Sequence, residues 1–128
     1  MATQASFAST PTAAGVVFST ANTSRTAPTN AAVVIAGGAS GTRVDDLYIN
    51  ATATTTANML RLFLYNGTTY YLLKEIPVSA NVPSVSNPVW STDLTDLAIL
   101  LPTSSWSLRI TTNNAESYCA LVTRAGNF

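Results

Sequence analysis

The side chains best suited to catalysis are scarce in this sequence. Its 128 residues include no histidine and one cysteine, with six basic and six acidic residues and zero net charge. Serine and cysteine nucleophiles usually need an imidazole partner, and common zinc sites use histidine or clustered cysteines. Nucleic-acid binding needs a positive field, which six basic residues balanced by six acidic ones do not supply. Carboxylates are therefore the main candidates for chemistry.

Two pairs of aspartates stand close together in the chain. Asp45 and Asp46 are adjacent, and neighbouring side chains of a strand point to opposite faces, so they converge only if a bulge re-aims one. Asp93 and Asp96 could share a calcium ion with carbonyls, but the dense oxygen spacing of calcium loops is absent. We expect turn and capping roles for both pairs, and we predict no catalytic residue, no metal and no cofactor.

Two further motifs indicate structure rather than chemistry. The glycine-rich segment 37–41 is followed by a strand pattern and lacks the lysine of a phosphate-binding loop, so it predicts a turn. Cys119 stands in an apolar strand pattern with no basic neighbour, which predicts a buried, unreactive thiol. The sequence shows no signal peptide and no apolar stretch that could span a membrane, so we expect synthesis in the cytoplasm without export or membrane contact.

The elements that would position these side chains are strands. Short β-branched and aromatic runs alternate with turn residues along the chain, and no long helical pattern occurs. We predict one all-β domain over residues 1–128, a jelly-roll-like β-sandwich of about eight strands. Residues 1–13 are predicted to form an extended N-terminal arm, either ordered on a neighbouring molecule or frayed.

The clearest predicted element is a β-hairpin at Asn66-Gly67, between the β-prone runs 58–65 and 68–76. With a two-residue loop, Tyr65 faces Thr68, Phe63 faces Tyr70 and Arg61 faces Leu72. One side then carries an aliphatic set suited to a core: Leu60, Leu62, Leu64, Tyr71 and Leu73.

The opposite side of this hairpin predicts a protein interface. A hairpin on a soluble monomer should be polar on its outer side, yet this side holds aromatic and apolar residues beside two cations. Such a composition is typical of interface centres. The predicted interface residues are Met59, Arg61, Phe63, Tyr65, Tyr70 and Leu72, with Lys74 on the same side. Two alternatives are a face covered by the protein's own loops or second sheet, and a nucleic-acid stacking surface, for which too few basic residues are present.

Composition also favours association. Only 9% of residues are charged, against roughly 25% in typical soluble domains. Low charge with zero net charge is expected where a partner covers much of the surface. A domain of extracellular type, coated with Thr, Ser and Asn, is the alternative explanation.

Several segments together resemble a known class of viral proteins. These are Ala2–Gln4 with Phe7–Pro11, Ser19–Thr23, Ala36–Arg43, Leu60–Leu64 before Asn66–Thr68, Leu72–Val78 and Thr123–Phe128. The chain resembles small structural proteins of tailed bacteriophages and prophages, and most closely capsid cement (decoration) proteins. The resemblance implies a jelly-roll or related sandwich fold, no catalytic residues, and a place on the capsid exterior of the virion. It also implies binding to the major capsid protein and self-association as a homodimer or homotrimer.

Two other functions stay open at the level of sequence. The chain could be a tail, baseplate or fibre component whose sandwich binds a glycan or receptor through Tyr, Asn and Thr side chains. It could also be a carbohydrate-binding or hydrolysing sandwich, in which Glu75 and Glu116 would have to flank a sugar.

Overall fold

The computed structural model describes residues 8–128, which form nine strands in two antiparallel sheets and no helix. The strands are β1 (Thr10–Phe18), β2 (Ala32–Ala36), β3 (Thr42–Ala51), β4 (Asn58–Tyr65), β5 (Tyr70–Val78), β6 (Ser91–Leu94), β7 (Ile99–Leu101), β8 (Ser107–Thr112) and β9 (Tyr118–Asn127). The predicted all-β sandwich is confirmed. The described residues contain no helix long and apolar enough to cross a bilayer.

The strand order is that of a jelly roll. Sheet A has the order β1-β9-β3-β6, with β7 also paired to β3, and sheet B has the order β2-β8-β4-β5. β6 and β7 pair with opposite ends of β3, so the two short strands together occupy one position. Eight strand positions therefore remain, four in each sheet, as expected for two interleaved Greek keys.

Apolar side chains from alternate positions of both sheets fill the space between them. Leu47 and Ile49 of β3 lie in the core with Leu60 and Leu62 of β4, all with no exposed surface. Each such side chain contributes roughly 1.5–3 kcal/mol by leaving water. Tyr118 lies among them, stacked on Phe18 at 5.6 Å and edge-on to Trp90 at 6.1 Å between ring centroids.

Two residues predicted for the core are instead exposed. Tyr71 and Leu73 have exposed fractions of 50% and 45%. They lie on β5, which is the last strand of sheet B and has a neighbour on one side only. Ile76 and Val78, further along the same strand, are the residues of β5 that reach the core.

The last part of the predicted N-terminal arm, from Thr10 onward, belongs to β1 and is paired with β9. Thr10, Pro11 and Thr12 lie opposite Asn127, Gly126 and Ala125 of β9. Residues 1–7 of the predicted arm lie outside the described residues.

The glycine-rich turn is where the sequence predicts it, between β2 and β3, and Gly41 there has a φ of 101°. The thiol of Cys119 is free and half-buried on β9 rather than fully buried, because its side chain lies on the outer side of sheet A.

Candidate protein-binding surface

The β4–β5 hairpin exists, but its loop and register differ from the prediction. Tyr65 lies opposite Tyr70, so the loop comprises four residues, 66–69, instead of two. The side-chain carbonyl of Asn66 accepts hydrogen bonds from the backbone N–H groups of Thr68 at 2.9 Å and Thr69 at 2.7 Å. An asparagine side chain that bonds its own loop in this way stabilises a wider turn. Gly67 supplies the positive φ, at 101°.

A β-bulge changes the register again further along the hairpin. Phe63 lies opposite Leu72, whereas Leu62 lies opposite Lys74, which leaves Leu73 as the extra residue. Arg61 consequently lies opposite Glu75 and not Leu72. The predicted pairs of Tyr65 and Phe63 were wrong because the loop has four residues, and the predicted pair of Arg61 was wrong because of the loop and the bulge together.

The structure brings part of the predicted interface together on the outer face of sheet B. One row across this face contains Val33, Arg109, Phe63 and Leu72, from β2, β8, β4 and β5. The next row towards the hairpin loop contains Ser107, Tyr65 and Tyr70. The loop is two residues longer than predicted, an even number, so the same alternate residues still point to the same side between the loop and the bulge. Four predicted interface residues therefore share one face, as predicted: Phe63, Tyr65, Tyr70 and Leu72.

Phe63 is not available to a partner. Its side chain has no exposed surface, and the Tyr70 ring lies edge-on to it at 5.7 Å between centroids. The prediction that Phe63 contacts a partner is therefore wrong, because its side chain is buried beneath Tyr70. Phe63 instead packs against the residues that form the outer face.

Arg61 is also buried, with 4% of its surface exposed. Its Nε donates to Glu75 Oε2 at 3.0 Å, and its Nη1 donates to Asn113 Oδ1 at 3.1 Å. Arg25, in the connection between β1 and β2, binds the same Glu75 oxygen at 2.9 Å. Arg61 therefore links β5 to the loop after β8 instead of orienting a partner. At this end of the hairpin the outer face is covered by the protein's own loops, which was the alternative to a partner.

Glu75 is held as a carboxylate by these two arginines. The hydrogen bond from Arg25 is the largest influence and, with Arg61, lowers the pKa of Glu75 against the opposing effect of partial burial. Met59 lies beyond this pair, half-buried and opposite Pro77, and so stands apart from the tyrosines.

Arg109 is a central residue of the outer face that the sequence analysis did not select. Its guanidinium carbon lies 4.4 Å from the centre of the Tyr65 ring and 5.9 Å from that of Tyr70. Its Nη1 donates to Tyr70 Oη at 3.2 Å and its Nε to Ser107 Oγ at 2.9 Å. The alternation that places Leu108 and Ile110 in the core also turns Arg109 outward, so the signal was present in the sequence.

We refer to Val33, Tyr65, Tyr70, Leu72 and Arg109 as the sheet-B patch. Val33 and Leu72 have exposed fractions of 42% and 38%, and the other three residues are half-buried. The two tyrosine rings lie 4.1 Å apart between centroids. Because the cation and its hydrogen bonds fix the rings, the patch is ordered before any partner binds.

A second polar cluster, at the end of the sandwich near residues 113–117, has a structural role. The amide of Asn58 donates to Thr112 Oγ1 and Tyr118 Oη, each at 2.9 Å, and accepts from the backbone N–H of Asn114 at 2.9 Å. Tyr118 Oη donates to Glu116 Oε1 at 2.8 Å. These bonds join strand ends to the loop between β8 and β9.

The ionisation of this cluster follows from its geometry. Burial acts to raise the pKa of Glu116, but hydrogen bonds from Thr56, Tyr118 and Asn58 outweigh it and lower the pKa. Burial raises the pKa of the Tyr118 phenol, with Glu116 adding to the effect. Glu75 binds Arg25 and Arg61, whereas Glu116 binds Thr56, Asn58 and Tyr118, so the two carboxylates have separate sets of partners.

Three of the four aspartates lie in strands, Asp45 and Asp46 in β3 and Asp93 in β6, so the predicted turn and capping roles are wrong for them. A register irregularity does occur at Asp46, but Asp45 binds Arg43 at 2.8 Å and Asp46 lies 3.7 Å from Arg124. Asp46 also accepts a hydrogen bond from the backbone N–H of Asp96 at 3.3 Å. Within residues 8–128, no group of three or more acidic or cysteine side chains is placed to hold a metal ion.

No family model matches the chain, and no curated protein is significantly similar to it in sequence.

Proposed function

We propose that this chain is a structural component of a tailed-phage particle that binds the outside of the capsid and bridges major capsid subunits. The observation that carries the proposal is the sheet-B patch. It presents aromatic and aliphatic side chains around an arginine, with no acidic residue among them. Interface centres are enriched in tyrosine and arginine and depleted in acidic residues.

The rigidity of the patch supports the proposal. Its residues lie on four strands of one sheet, and Arg109 binds both Tyr70 and Ser107. A partner that docks here does not have to order these side chains, which lowers the entropic cost of association. A bridging protein on a shell also repeats each contact many times, so modest affinity per copy is sufficient.

The remaining parts of the proposal follow from the sequence. The role is non-enzymatic and needs no cofactor, nucleic acid or membrane. The partners are the major capsid protein and further copies of this chain, and the chain is made in the host cytoplasm before it joins the virion exterior. The resemblance to cement proteins is consistent with this role.

The proposal is tested on purified particles of the virus or prophage that encodes the chain. Mass spectrometry of capsids separated from tails should detect the chain, and an electron cryo-microscopy map should place it outside the shell, between capsid subunits. Detection only in detached tails, or absence from particles, overturns the proposal.

A matched pair of variants tests the patch itself. Leu72→Glu introduces a charge into the sheet-B patch at 38% exposure, whereas Leu121→Glu introduces one on the outer face of sheet A at 39%. Leu72→Glu should abolish co-sedimentation with capsids that lack the chain, while Leu121→Glu should retain it. Equal binding by both variants would assign the contact to another surface.

The second candidate is a tail, baseplate or fibre component that binds a glycan or receptor. The half-buried phenols of Tyr65 and Tyr70 beside Arg109 favour it, since they combine ring surface with polar groups. Glycan-array binding together with a position in the tail of the cryo-microscopy map would support this candidate over the first.

A further inference from the structure

The free edge of β5 carries apolar side chains beside a backbone that another strand could pair with. Tyr71, Leu72 and Leu73 are consecutive and have exposed fractions of 50%, 38% and 45%. β5 is nine residues long and, among the described strands, pairs with β4 alone. A long apolar edge of this kind is a template for strand addition and aggregation. Because the chain has zero net charge, general repulsion does not keep copies apart, and protection has to come from the edge itself.

Lys74 lies on the core-facing side of β5. It is directly opposite Leu62, which is fully buried in the core, and directly opposite residues of an antiparallel pair share a face. Ile76, two residues further along the same side, is buried. Lys74 is exposed only because it stands at the rim of the core, on a strand with no neighbour beyond it. A charge therefore occupies a position at which the alternation calls for an apolar residue.

Strand addition would enclose this charge. If a second sandwich joined edge to edge at β5, the inner sides of the two sheets would form one continuous core with Lys74 inside it. The adjacent carboxylate of Glu75 lies on the outer side of β5, opposite Arg61, and already binds Arg25 and Arg61. Burying an ammonium group without a partner is strongly unfavourable. Lys74 thus opposes the joining of sheets at this edge.

Two neighbouring features interrupt the backbone of the same edge. Leu73 is the extra residue of the β-bulge, and a bulge bends a strand and disturbs the ladder beside it. Pro77 is exposed and has no backbone N–H to donate. The bulge, the lysine and the proline all fall within residues 73–77, so the regular part of the edge is limited to residues 70–72.

The other edges of the described sheets are also short or interrupted. β2 has five residues and a register shift between Val33 and Ile35. β6 and β7 have four and three residues, and β1 has a register shift between Thr12 and Ala14. β5 differs from them in its exposed apolar run, which makes it the edge at which a blocking charge matters most.

We infer that Lys74, together with the bulge at Leu73, blocks strand addition at the free edge of β5. The exposed run 71–73 is then a side-chain surface and not a template for pairing. The inference goes beyond the proposed function and does not depend on it. It requires that any association between copies of this chain use surfaces other than this edge.

Replacement of the charge tests the inference on the full chain. Lys74→Val places a β-branched apolar residue at the rim and should form large species, seen by sedimentation velocity and light scattering, at a protein concentration lower by on the order of tenfold or more than the wild type requires. Lys74→Glu keeps a charge at this position and should behave like the wild type. The matched control is Arg124→Val, which removes the same charge from β9, a strand that is paired on both sides. It should not promote association.

Hydrogen exchange identifies the strand that pairs in the assembled variant. Backbone amides within 70–76 should exchange more slowly in assembled Lys74→Val than in the dilute variant, while the amides of β4 stay protected in both. Wild-type amides within 70–76 should not gain protection at any concentration. The inference is overturned if Lys74→Val associates no more than Arg124→Val, if its β5 amides gain no protection, or if β4 loses protection because the variant has unfolded. Protection of wild-type β5 amides at high concentration would also overturn it. All of these measurements use the purified chain without particles, so they are separate from the test of the proposed function.

Discussion

The guanidinium of Arg109 lies over the ring of Tyr65, 4.4 Å from its centre. The same group donates to the Tyr70 phenol at 3.2 Å, so one cation contacts both half-buried tyrosines of the sheet-B patch. Arg109 thereby links β8 to β4 and β5 and also shapes the surface that a partner would meet.

Arg109→Ala should therefore lower both stability and partner affinity. Loss of the cation–π contact and its hydrogen bonds should cost about 1–2 kcal/mol of unfolding free energy in urea titrations. The near-ultraviolet circular dichroism of the tyrosines should weaken, because the rings of Tyr65 and Tyr70 become more mobile. The control is Arg124→Ala, whose side chain is 64% exposed and should change stability by less than about 0.5 kcal/mol. Equal losses in the two variants would contradict the role given to Arg109.

Phe63→Ala should mainly destabilise the fold. Removing a fully buried phenylalanine typically costs about 3–5 kcal/mol, because a cavity remains. Leu72→Ala, on the next strand, should cost less than about 1 kcal/mol, since the side chain is 38% exposed. Chemical denaturation of both variants checks the difference. Unchanged stability in Phe63→Ala would indicate that the side chain is an interface residue rather than a buried one.

Gly67→Ala should weaken the hairpin loop. A residue with a side chain pays about 1–2 kcal/mol to adopt the positive φ of 101° found here. Thr69→Ala in the same loop keeps its backbone hydrogen bond to Asn66 and should be nearly neutral. Thermal unfolding of the pair measures the effect, and a neutral Gly67→Ala would mean that the loop readily adopts another turn.

Acid should destabilise the protein through Glu116. Its folded pKa is lowered from 4.5 by hydrogen bonds to the ionised form, so the unfolded chain takes up a proton first. This contribution is complete above pH 4.5 and is lost as the pH falls through the folded pKa. Glu116→Gln should flatten the fall in unfolding free energy below pH 4.5. Because the pKa of Glu75 is also lowered, part of the acid dependence should persist in the variant.

The strands and the core could be predicted because apolar and polar residues alternate along the strands. Leu60 and Leu62, and likewise Leu108 and Ile110, follow the period-two pattern and are fully buried. The jelly-roll class followed from many short strands and no helical period, whereas the order of strands is set by pairings between distant segments.

The details of the binding surface depended on features that a linear pattern does not show. The Asn66 side chain widened the loop, and the bulge at Leu73 placed Glu75 beside Arg61. Tyr71 is exposed because it lies on an edge strand, whereas Phe63 is buried because β4 lies between β8 and β5 and the Tyr70 ring packs against it. Arg109 could have been found, had the outward positions of β8 been considered together with those of the hairpin.

The pairing order also constrains how the chain folds. Among the strands of residues 8–128, only β4 and β5 are consecutive in sequence and paired with each other, whereas β1 pairs with β9 and β2 with β8. Contacts between such distant segments form slowly, on the order of milliseconds to seconds. During synthesis β1 is made long before β9, its partner, exists, so the β1–β9 part of sheet A forms only after β9 has left the ribosome.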